Sequence, residues 1–161
     1  MNFSQNKTWR WIALALRIVL GAVFVYAAWL KLNDSWRIFA MDIDAYQILP
    51  SLFWTEAVAR TLPWFELALG VWLIAGFWLR VSATITALLL TSFFGLMIFA
   101  HFKGLQINCG CFGSGEKISW ITMLRDGSLL AAALTLAAWS YLSRRRAPVA
   151  APGTVIHSTL A

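Results

Sequence analysis

Four long stretches of this chain contain almost nothing that water would hold. Residues 11–30 carry a single charge, Arg17, among hydrophobic and small side chains. At a rise of about 1.5 Å per residue, a helix of that length crosses the roughly 30 Å hydrocarbon layer of a bilayer. Comparable stretches occupy residues 57–78, 81–102 and 121–142. Of the 161 residues, 60% are hydrophobic and 12% charged, where soluble domains carry roughly 25% charged residues. A soluble fold of this size has too little interior to hide that surface. The expected fold class is all-α: a polytopic membrane protein, a four-transmembrane-helix bundle over residues 11–143.

The remaining segments fit around those spans. Residues 1–10 form a polar tail with Lys7 and Arg10. Tyr26-Ala27-Ala28 faintly resembles a signal-peptide cleavage region, but the apolar run is too long for a typical signal core and further spans follow, so an uncleaved first span is expected. Residues 31–56 mix Asp34, Asp42, Asp44 and Glu56 with irregularly spaced apolar residues, and Pro50 interrupts them. That pattern predicts an interfacial segment with short helical pieces between spans one and two. Pro63 falls early in the second span, where it can kink the entry. Arg80 marks a turn so short that spans two and three are expected to be antiparallel neighbours. Residues 103–120 form the second long loop. Arg144, Arg145 and Arg146 then stop the fourth span, and residues 144–161 are expected to be a basic stop and disordered tail. No internal repeat is visible.

Charge and aromatics say which partners to expect. The net charge is +6, yet no basic stripe interleaved with aromatics exists, so nucleic acid is not an expected partner. Many of the ten tryptophans fall near predicted span ends, among them Trp9, Trp11, Trp29, Trp54, Trp78, Trp120 and Trp139, where amphipathic rings favour the headgroup level. Lys and Arg divide evenly between the two sides, six and six. Position breaks the tie: the Arg triplet abuts a span, whereas Arg60 and Arg125 are expected within helix ends. All seven acids lie between residues 34 and 126, none in a terminus or in the Arg80 turn. The expected topology places both termini in the cytoplasm, and the loops 31–56 and 103–120 outside it, in the periplasm of a bacterial inner membrane.

The chemistry-bearing motif is Asn108-Cys109-Gly110-Cys111-Phe112-Gly113, which holds both cysteines of the chain. A disulfide needs its Cα atoms within about 4.4–6.8 Å, a distance that a bent tripeptide allows. Gly110 makes the bend easy because it lacks a Cβ. So small a ring is strained, and strained, exposed disulfides belong to the labile or catalytic class. A redox-active dithiol at Cys109 and Cys111 is the favoured reading, in a compartment where disulfides persist. Two soft sulfurs could instead bind Cu(I) or Zn(II), with His101 as a third ligand. Inert thiols in a tight loop are the plain alternative. Nearby, Arg125, Lys117 and His101 are the available cations, and a positive neighbour raises the thiolate fraction. Arg125 is the best candidate, held by Asp126.

Two charges stand inside the apolar runs. Arg17 lies about six residues into the first, and Glu66 about nine residues into the second, so a long Arg side chain could reach the carboxylate. Unpaired charges at that depth cost at least roughly 2.5–3.5 kcal/mol. The functional reading of Glu66 is a proton or quinone-headgroup site; the plain one is a structural ion pair, or Arg17 snorkelling alone.

The order of several short motifs adds to this. Arg17-x-x-Leu20-Gly21, Ala28-x-x-Lys31, Tyr46-x-x-Leu49-Pro50, Leu62-Pro63-x-x-Glu66-x-x-x-Gly70, Cys109-Gly110-Cys111-Phe112-Gly113 and Arg125-Asp126 together resemble the DoxX-like membrane proteins. Within that group the pattern is most similar to the MauE family of methylamine utilisation, over about residues 10–142. The resemblance implies a four-helix inner-membrane protein linked to maturation of periplasmic proteins. The implied client is disulfide-rich, such as the small subunit of methylamine dehydrogenase, and the implied partner is a periplasmic thioredoxin-like protein. By position, Cys109 and Cys111 would be the redox pair, with Arg17, Glu66 and Arg125 as polar supports. Function is thus expected to be membrane thiol–disulfide exchange, with electrons passing to or from a thioredoxin-like protein or, as the alternative, a quinone in the bundle; no cofactor is required by the sequence. A metal-handling protein and a non-enzymatic scaffold for a maturation complex are the alternatives.

Overall fold

The structure is a computed structural model that describes residues 7–104 and 119–144, the Arg144 side chain excepted. Cys109, Cys111, Lys117 and the expected tail lie outside the described residues. Five helices make up the rest: α1 (Lys7–Asn33), α2 (Trp36–Ala45), α3 (Leu52–Ala75), α4 (Leu79–Phe102) and α5 (Trp120–Arg144). Among the described residues there is no strand. Four of the helices, all but α2, are long and apolar enough to cross a membrane. This is an all-α, multi-pass membrane protein.

Helix ends follow local chemistry. α1 does not stop at residue 30 but runs through Lys31 to Asn33, because nothing in Leu30-Lys31-Leu32 breaks it. Asn33, Asp34 and Ser35 then offer side chains that compete with the backbone for hydrogen bonds. α2 starts after an extended Ser35 and is the helical piece of the segment between the first two spans. Its exit passes through Gln47, at φ 52°, and Pro50 excludes helix from the residue before it. α3 starts at Leu52, with Pro63 inside it, where the ring nitrogen cannot donate to the Ala59 carbonyl. Gly76 closes α3 at φ 77°, its N–H donating to the Trp72 and Leu73 carbonyls. The left-handed conformation is open to glycine at no steric cost.

Small residues decide which helices touch. α1 packs mainly on α3, and α4 mainly on α5. A Cβ built at Gly21 would stand 2.8 Å from the Gly70 carbonyl oxygen, and one at Gly70 would stand 2.8 Å from the Gly21 carbonyl oxygen. In lipid, where apolar burial gives no net drive, such close backbone approach supplies the contact. Spans two and three, expected to be neighbours, do touch, but α3 and α4 share much less than the two main pairs do. The pairs join over Ala13, Leu20, Leu73, Ala83, Ala87, Ala133 and Leu136. α2 lies on α3 through Phe39, Ala40 and Ala59. Large apolar side chains such as Phe65, Val71, Leu88 and Leu134 point outward, as a lipid-facing surface requires.

Candidate functional site

Helical side chains lean toward the N-terminus of their own helix. That rule organises the charges here. Lys31, near the end of α1, leans back into the bundle. Glu66, on antiparallel α3, leans toward the end where Lys31 sits. They meet: Lys31 Nζ donates to Glu66 Oε1 at 2.6 Å and to Oε2 at 2.8 Å, with side chains 0% and 3% exposed. The Phe39 and Phe93 rings flank the ammonium, with centroids at 5.2 and 5.4 Å. Four groups from α1, α2, α3 and α4 thus converge on one buried pair.

Arg17, on the same helix as Lys31, also leans toward the start of α1, and from its position that direction leads away from Glu66. The expected Arg17–Glu66 pairing is therefore corrected: Glu66 is held by Lys31, and Arg17 lies against Gly76 at the opposite end of α3. Run length alone had put Lys31 in a loop. Side-chain direction is the signal that would have found it.

Glu66 also lines a cavity of about 30 Å³ at the seam between the helix pairs, together with Phe24, Phe93, Phe94 and Asp126. Both carboxylates thus face one narrow, otherwise apolar space. A larger apolar recess of about 190 Å³ lies between α2, α3 and α4, lined in part by Phe39, Asp42, Tyr46 and Phe93. The recess is the roomier of the two spaces.

The start of α5 is fixed by a cap. Ser119 Oγ accepts from the Thr122 N–H at 3.3 Å and lies 2.9 Å from Thr122 Oγ1, which satisfies an otherwise orphaned amide. Arg125 follows within two turns. Its Nε donates to Asp126 Oδ1 at 3.0 Å, the expected contact, with side chains 34% and 7% exposed. Arg125 therefore keeps an accessible flank while its acid is buried beside the Glu66 cavity. His101 is exposed in the last turn of α4. Lys103 packs over Phe99, at 4.6 Å from the ring centroid.

The fold thus gathers Glu66, Asp126, Arg125 and His101 toward the end where residues 105–118 leave α4 and return to α5. Arg17 is sent to the other end. Among the described residues, no group of three His, Cys, Asp or Glu side chains could hold a metal; the two sulfurs of the metal-binding alternative fall outside them.

Comparison with known proteins bears on the same segment. The family model of methylamine utilisation protein MauE matches residues 9–140. Methylamine utilization protein MauE of Paracoccus denitrificans is 36% identical over 126 residues, covering 76% of this chain and 67% of that protein. Its counterpart in Paracoccus versutus is 36% identical over 128 residues, 77% of this chain and 67% of that protein. No solved structure matches.

Proposed function

The chain belongs to the MauE family of methylamine utilisation proteins, and from that premise we propose that it carries out thiol–disulfide exchange for proteins maturing outside the cytoplasm, with Cys109 and Cys111 as the exchanging pair. The observation that carries the reading is the placement of the Cys-Gly-Cys motif within the segment joining α4 to α5. The described chain resumes after the motif at the capped start of α5, which carries the partly exposed Arg125.

Exchange is isoelectronic. A thiolate of one partner attacks the Cys109–Cys111 disulfide, forming one S–S bond as another breaks. A second thiolate of that partner resolves the mixed disulfide, leaving the partner oxidised and the cysteine pair reduced by two electrons. A thioredoxin-like protein reoxidises the pair by the same step, and the cycle also runs in reverse. Arg125 favours the thiolate by its charge, and Asp126 positions it. A disulfide-rich client, including a methylamine dehydrogenase small subunit, suits this chemistry.

The charge distribution supports a bacterial inner membrane with both termini cytoplasmic. Lys7, Arg10, Arg17 and Arg80 sit at the N-terminal end of the bundle, which has no acid among the described residues. The opposite end mixes both signs. The Lys/Arg rule then puts residues 105–118 outside.

The test is mixed-disulfide trapping in cells that express Cys109→Ser or Cys111→Ser variants, combined with labelling of intact cells by a membrane-impermeant thiol reagent. One variant is expected to accumulate a covalent adduct with a thioredoxin-like protein or client that dithiothreitol releases. Labelling is expected to rise on addition of reductant. Full client maturation in the double serine variant would refute the proposal.

A further inference from the structure

We infer that the N-terminal end of the bundle holds a site for the phosphate of an anionic phospholipid headgroup, between α1, the α3–α4 turn and α5. A recess of about 390 Å³ opens there, lined by Lys7, Arg10, Arg17 and Trp139 among others. A second, of about 470 Å³, shares Leu79 and Trp139 with it and adds Trp78, Arg80 and Ser143. Trp139 and Leu79 thus line both spaces.

Three buried polar atoms around these recesses have no hydrogen-bond partner: Arg17 Nε, Trp139 Nε1 and Ser143 Oγ. Two are N–H donors that need an acceptor, and the third can donate. A buried donor without an acceptor is costly, and these three atoms mark where the walls of the recesses must open for an acceptor to reach them. The Arg17 guanidinium also occupies the space beside Gly76 that a Cβ would fill, so the turn is built to admit it.

The missing group is an anion. Four cations, Lys7, Arg10, Arg17 and Arg80, surround the two recesses, and no Asp or Glu lines either one. The sequence places every acid between residues 34 and 126, and none in the α3–α4 turn. A phosphate carries charge and several acceptor oxygens, and Arg binds it with directional N–H bonds. Beside its cations the first recess is walled by Ala13, Leu14 and Leu79, the second by Leu79 and Val81 with Ser140 and Ser143, and Trp11 and Trp78 are exposed. Such walls suit the glycerol and upper acyl carbons of a lipid, and a basic pocket between spans at an anionic surface is where headgroups bind. A free phosphate would leave these walls uncovered.

The experiment uses the full chain, delipidated in a mild detergent and examined by native mass spectrometry with added phosphatidylglycerol or phosphatidylcholine of matched acyl chains. The expected result is one retained phosphatidylglycerol, bound about thirtyfold more tightly than phosphatidylcholine, as roughly two neutralised cations imply. Arg17→Gln should weaken that retention about fivefold. Trp139→Phe keeps the ring, removes one donor, and should weaken it by a smaller factor; it serves as the test should Arg17→Gln fail to fold. Arg60→Gln, at the other end of the bundle, should change nothing. Equal retention of both lipids, or retention untouched by both Arg17→Gln and Trp139→Phe, would overturn the inference. Displacement of the lipid by millimolar inorganic phosphate would overturn the lipid assignment in favour of a free-phosphate site.

Discussion

At one end of the bundle Lys31 and Glu66 close on each other at 2.6 and 2.8 Å, sealed from solvent by Phe39 and Phe93. At the other, Arg17 Nε is buried with no partner, beside a recess of about 390 Å³. Both charges sit in hydrophobic helices, and each faces the same desolvation problem. The first is solved within the chain, so its charge is spent and its geometry fixed. The second is left for something outside the chain. An intramembrane charge is thus a clue to function only after its partner is known. Glu66 looks like a site in the sequence and turns out to be half of a clasp, whereas Arg17 looks like its partner and turns out to be unsatisfied.

The comparison breaks most sharply at the clasp. Lys31→Met leaves a buried carboxylate alone, and Glu66→Leu leaves a buried ammonium alone. Removing one member of such a pair costs about 3–5 kcal/mol. Each single variant is therefore expected to lower stability by about that amount in detergent, read as a shift in thermal or chemical unfolding. The double variant should recover most of the loss, because well-packed apolar residues replace a buried pair at little cost. If Lys31→Met unfolds like wild type, the clasp is not closed and the contrast between the two ends falls.

The clasp needs α1 and α3 in register. Gly21 and Gly70 set that register by letting each backbone approach the other's carbonyl. Gly70→Ala would press its Cβ onto the Gly21 oxygen, with Val25 Cγ2 2.9 Å away, so the helices must part. Overpacking of this kind costs about 1–3 kcal/mol. Gly127→Ala is the control: a Cβ there meets the Phe94 ring at an ordinary 3.5 Å. Unfolding measurements should separate the two, with Gly70→Ala the less stable. Next in size, Arg17→Met should leave lipid-free stability within about 1 kcal/mol of wild type, since it removes an unsatisfied donor instead of an interaction. A large loss would mean that Arg17 is clasped after all.

Much of this was readable beforehand, and the misses have one cause. Run lengths gave the four spans, and the irregular acids marked residues 31–56 as a separate segment, in which the structure has the short helix α2. Adjacent charges gave Arg125 with Asp126. Lys31 was missed because a hydropathy run ends at the first charge, while a helix ends where its backbone finds other partners. For α1 that happens three residues later, at Asn33. The Arg17–Glu66 pairing failed because it weighed reach without direction. The recesses around Trp139 combine residues from three helices and carry no linear motif, so no spacing along the chain announces them. The cysteine pair, the strongest signal in the sequence, lies outside the described residues.

The smallest effect sharpens the contrast between sealed and exposed charge. Arg60 and Glu56 form an i,i+4 pair at 3.6 Å, with side chains 56% and 51% exposed. Exposed pairs contribute about 0–1 kcal/mol, against several for the clasp, because water and salt already solvate both charges. Arg60 does more than pair, however: its guanidinium stacks over the Trp36 ring of α2 at 4.1 Å. Cation–π contacts at exposed sites contribute about 0.5–1 kcal/mol. Glu56→Gln should therefore move unfolding by about 0.5 kcal/mol or less. Arg60→Gln should cost somewhat more, and the excess should disappear in a Trp36→Leu background. An excess that survives Trp36→Leu would assign it to the Glu56 pair, and exposed charge at this end would then matter more than the clasp comparison allows. A cycle over Arg60 and Trp36, read by unfolding at low and high salt, decides it: screening weakens the carboxylate pair first.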